Sequence, residues 1–206
     1  MRPGLIGGAL LLSSCLLFLV AAAIAATGGS VGLGSHEVGG LVLIAALACA
    51  GIGAGAMALR PPGDLDHRSV RIGFALLAVG LLSALASAII GATMTSDPLE
   101  SMPAVILFFV GGAASFAGSI TTFLSLLVRP GRPRRLASLF VLGLVMTAIA
   151  GGVSNGLFPD NDSLALALVT RTLALIGGVT MLSAVVGIAL LGIRTESSSG
   201  PNLGLS

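Results

Sequence analysis

The chain has 206 residues, 55% of them hydrophobic and 9% charged, with a formal net charge of +2 and a mean hydropathy of +1.09. Soluble globular domains carry roughly 25% charged residues, and disordered chains combine low hydrophobicity with high net charge, so both classes are excluded. Two cysteines cannot build a disulfide scaffold, and two histidines with no tryptophan or tyrosine leave few groups able to ligate haem or stack on a base, so neither a cofactor nor a nucleic-acid partner is expected.

A hydrocarbon core of about 30 Å takes about 20 apolar residues in helical form, and six apolar runs reach that length, uncharged apart from Arg171 in the sixth. They are continuously apolar and rich in Leu, Ala and Gly, without the alternation of a membrane β-barrel strand. The first, Leu5 to Ala26, follows Arg2. A basic start and small residues at its end also fit a secretory signal, and Leu12-Ser13-Ser14-Cys15 resembles a lipoprotein cleavage site. The run of 22 residues is longer than such signals use, and Leu16 to Ala26 stay apolar where an exported chain turns polar. A membrane span is the expected reading.

The first loop carries His36-Glu37. A helix-borne zinc site of the metalloprotease kind needs a second histidine four positions on, and position 40 is glycine. His36 and Glu37 are therefore candidates for pairing or pH response, with an exposed loop position as the plainer assignment. The second span, Val38 to Leu59, ends at Arg60. Its Cys49 lies ten residues from the inner end, as Cys15 does in the first span. With no charge nearby to activate either thiol, both read as small apolar filler.

Arg68 and Arg71 precede the third span, Ile72 to Thr93, and Asp97 and Glu100 follow it. The fourth, Pro103 to Val128, contains Ser115, which sits in no nucleophile-elbow motif and has no histidine within a span to act as its base. Arg129, Arg132, Arg134 and Arg135 then stand within seven residues, a cluster able to fix topology or to bind anionic lipid headgroups. The fifth span is Leu136 to Leu157. Asp160 and Asp162 precede the sixth, Leu164 to Ile193, which ends at Arg194.

Short loops rich in Arg and Lys remain cytoplasmic. Nine of the ten arginines fall at the N-terminus, the second and fourth loops and the C-terminus, whereas the first, third and fifth loops carry only acids. Both termini are therefore expected in the cytoplasm of a plasma (inner) membrane protein.

The exception is Arg171, about 10 Å inside the sixth span at 1.5 Å per residue. A charge at that depth is expensive, and its long stem can snorkel outward to Asp160 or Asp162; the alternative is an interior position on an anion path.

The middle and last hairpins match weakly. Gly80 and Gly143 each stand 17 residues before an aspartate, Asp97 and Asp160, and Gly111-Gly112 parallels Gly177-Gly178. The 30 glycines suit close helix approach where lipid supplies no hydrophobic drive between helices.

The expectation is an all-α, polytopic integral membrane protein of six transmembrane helices arranged as three hairpins. It forms a single domain over residues 1–194, followed by a short, disordered cytoplasmic tail at 195–206. Its expected role is non-enzymatic: an accessory or scaffolding subunit whose partners are the lipid bilayer and either other membrane subunits or its own copies. The alternative is a small-solute or anion transporter or channel with Arg171 lining the path. The two differ in whether Arg171, Ser83, Thr147 and Ser183 converge on an interior cavity.

Overall fold

The computed structural model describes residues 3–26, 38–61, 65–93, 98–128, 131–154 and 164–197. Its six helices are α1 Pro3–Ala26, α2 Val38–Leu59, α3 Arg68–Thr93, α4 Pro98–Leu127, α5 Arg132–Ser154 and α6 Leu164–Ser197. Each is long and apolar enough to cross a membrane.

Several ends differ from the hydropathy boundaries. The third helix begins at Arg68 and the fifth at Arg132, so Arg68, Arg71, Arg132, Arg134 and Arg135 belong to helical first turns. The reason is that loss of hydropathy ends an apolar run but does not end a helix. The fourth helix likewise begins at Pro98 and carries Pro103 in its second turn, and α6 continues to Ser197. The tail expected from residue 195 is thus helical for its first three positions. Residues 198–206 lie outside the described residues.

Each helix packs on its neighbours in sequence, and α6 returns to pack on α1, which closes the six into a ring. The contacts are most extensive within the pairs α1/α2, α3/α4 and α5/α6, and thinnest between α4 and α5. That thin seam is held by Phe123 stacked on Phe140, with centroids 3.6 Å apart and planes 2° from parallel.

The close pairs cross at glycine. A Cβ on Gly111 would stand 2.8 Å from the Gly80 carbonyl and 3.0 Å from the Ala84 nitrogen. One on Gly177 would stand 2.7 Å from the Gly143 carbonyl and 3.0 Å from the Thr147 nitrogen. Only the absence of a side chain allows backbones this near, so dispersion between main chains holds the crossings.

The buried core lies towards the arginine-rich ends of the helices, where Leu11, Ala54, Met57, Val70, Phe74, Phe123, Leu126, Ala137, Ala184 and Ile188 meet. Leu65, in the connection between α2 and α3, is fully buried there as well. Beside it Arg71 donates from Nε and Nη2 to Asp66 Oδ1, at 3.0 and 2.7 Å. Both side chains are about half exposed, so this pair contributes little beyond ordering the turn.

Candidate functional site

Among the described residues two concave features stand out. The first is a central cavity of about 300 Å³ to which every helix contributes. Its apolar wall includes Leu11, Phe18, Phe74, Leu77, Phe140 and Met181. Its polar lining is Ser14, Cys15, Ser119 and Thr122. Ser14 spends its hydroxyl on the Leu11 carbonyl at 2.8 Å. Thr122 is 1% exposed, its Oγ1 packs against Gly73, and that oxygen has no hydrogen-bond partner. No charged side chain lines the cavity. Its lining suits something apolar; it cannot carry an ion, which would be stripped of water with nothing to replace it.

The second feature is a cleft of about 270 Å³ between the start of α5 and the end of α6. Arg132, Arg135 and Arg194 line it together with Leu136, Gly187, Leu190 and Leu191. Gly131, at φ 104°, makes the turn into α5 in the left-handed region that glycine adopts without strain. The next residue opens the helix, and its first turn is cationic with no acidic residue.

The structure distributes the residues singled out from sequence as follows. Arg171 is exposed on α6 and does not line the cavity. Arg132 and Arg135 enter the cleft, while Arg134 is exposed and outside it. His36, Glu37, Asp160, Asp162 and Arg129 lie outside the described residues, so no pairing of Arg171 with Asp160 or Asp162 is on view.

Three other polar side chains named as discriminating also stay out of the cavity. Thr147 Oγ1 donates to the Gly143 carbonyl at 2.9 Å, Ser183 Oγ to the Val179 carbonyl at 2.8 Å, and Ser83 is half-buried at the α3/α4 crossing. Cys15 and Cys49 are both free thiols; Cys15 is buried against the cavity and Cys49 is half-buried elsewhere.

Sequence reasoning did not join Arg194 to the fourth-loop cluster. The signal was available, since antiparallel packing of α5 and α6 brings the start of one to the end of the other. The unpartnered hydroxyl of Thr122 had no comparable signal, because a threonine in a helix ordinarily bonds back to its own backbone.

Comparison with protein families, with curated proteins and with solved structures gives no match.

Proposed function

We propose that the chain is a multi-pass plasma membrane protein of three helical hairpins with both termini in the cytoplasm. In this reading it has no catalytic role and serves as an accessory or scaffolding subunit that packs against other membrane helices. The observation that carries the reading is that Arg171, Ser83, Thr147 and Ser183 all stay out of the central cavity, leaving it without a charge. A polar conduit would need them inside.

The outer surface supplies what a subunit needs instead. On α4, Phe109, Gly112, Ala113, Phe116 and Ala117 share one exposed face, and a Cβ on Gly112 would meet nothing within 4 Å. Small residues between aromatic ones let another helix approach closely. The matched crossings, Gly80 on Gly111 and Gly143 on Gly177, further support descent of the two hairpins from one duplicated unit.

Purification in mild detergent tests the role. A stoichiometric membrane partner, or a second copy, should accompany the wild type and be lost from Gly112→Leu at unchanged melting temperature. A chain that stays monomeric and unaccompanied both in mild detergent and after cross-linking in native membranes would overturn it.

A second reading, a transporter of a small apolar solute, is favoured by the central cavity itself. It predicts solute uptake in proteoliposomes that falls when Gly178, which lines the cavity, is enlarged to leucine.

A further inference from the structure

We propose that the cleft between α5 and α6 is a binding site for one anionic phospholipid, its phosphate held by Arg132, Arg135 and Arg194. Three arginines from two helices line one recess, and neither Arg132 nor Arg135 is joined to a carboxylate among the described side chains. Two of the three stand in the first turn of α5, where they face the positive end of the helix dipole. That end favours anions and disfavours cations. An unliganded Arg132-Pro133-Arg134-Arg135 start is therefore held against its own helix, and a phosphate relieves both the guanidinium repulsion and the unsatisfied amide donors of the first turn.

The rest of the lining selects a lipid over a free anion. Leu136, Leu190 and Leu191 continue the cleft as an apolar wall, and Leu190 is 40% exposed on the outside of the bundle. An acyl chain fits along that wall while the headgroup meets the arginines. Inorganic phosphate would leave the leucines unused. Guanidinium forks also match phosphate oxygens in pairs.

The proposal rests on the membrane part of the function proposed above and not on the partner part. Extraction of the chain from membranes by alkaline carbonate would refute membrane insertion itself; the lipid test below is read only on the full chain purified in an uncharged detergent.

Phosphatidylglycerol, phosphatidylcholine and inorganic phosphate are titrated separately, following the melting temperature by exposure of the free thiols and bound lipid by native mass spectrometry. Phosphatidylglycerol should bind and stabilise, phosphatidylcholine should do neither, and inorganic phosphate should act only weakly. At about 1 kcal/mol per arginine near an anionic headgroup, each Arg→Gln change weakens binding about fivefold and the triple change about a hundredfold. The triple Arg→Lys variant keeps the charge and should retain most of the preference, which guards against reading misfolding as lost binding. Arg171→Gln, outside the cleft, should leave it unchanged.

Equal binding of both lipids, or a charge preference that survives the triple glutamine variant, would overturn the proposal. So would full stabilisation by inorganic phosphate, which makes the site one for a free anion. Lipid binding that appears only after Glu196→Gln would also overturn it, because the chain's own carboxylate would then be the occupant.

Discussion

At the scale of single residues the structure separates glycines that look alike in sequence. Gly111 and Gly112 are neighbours, but an added Cβ on Gly111 meets the α3 backbone at 2.8 Å while one on Gly112 meets open space. Gly111→Ala should therefore force α3 and α4 apart and cost on the order of 1–3 kcal/mol, whereas Gly112→Ala should leave the melting temperature within about 1 °C of wild type. Thermal denaturation of the two variants in one detergent checks this, and similar losses from both would contradict the packing. Thr122 makes a second case. Its hydroxyl is buried without a partner, and valine keeps the shape while removing the unsatisfied group, so Thr122→Val should stabilise by about 1 kcal/mol. A loss of stability instead would mean that the hydroxyl is bonded in the native protein, to a ligand or to water. Arg171 is exposed on α6 and outside the cavity, and Arg171→Leu should be tolerated with little change in stability, because neutralising an exposed charge within a span removes an insertion penalty.

At the scale of helices, the α4/α5 seam, where contacts between neighbouring helices are fewest, contains the aromatic stack of Phe123 on Phe140. Phe123 is also 5% exposed and part of the main core. Phe123→Ala should cost about 3–5 kcal/mol and Phe123→Leu much less, with proteolysis at the α4–α5 connection accelerated in the alanine variant alone. The existence of the six helices was legible in sequence because hydrophobic length is a local property: a continuous run needs no knowledge of its neighbours. Their ends were less so, since Arg68 and Arg132 close an apolar run without closing a helix. The return of α6 onto α1, the cavity that this closure creates and the burial of Leu65 depend on residues far apart in the chain, and no local pattern announces them. The candidate lipid cleft stands between these cases. Arg132 and Arg135 were visible as a cluster, and Arg194 joined them only once the pairing of helix ends was known.

For the whole molecule the sharpest expectation is orientation, and it follows from the placement of charge. Nine of the ten arginines lie at the N-terminus, in the second and fourth loops or the helix turns that border them, or near the C-terminal end of α6, and the other three loops have none. Holding arginine-bearing loops on the cytoplasmic side is the stable arrangement for short connections, and a chain inserted the other way would have to translocate the Arg132-Pro133-Arg134-Arg135 turn and the Arg68–Arg71 turn together. Single cysteines placed at Ser30, Ser96, Asn161 and Ser69, in a chain whose Cys15 and Cys49 have been changed to alanine, report the side directly. An impermeant thiol reagent applied to intact cells should label the first three and spare Ser69→Cys, which should react only after permeabilisation. Labelling of Ser69→Cys on intact cells, with Ser30→Cys and Asn161→Cys protected, would invert the bundle and put the arginine cleft on the outer surface. Mixed labelling at every site would instead mean that the chain inserts both ways, so that arginine placement does not fix its topology.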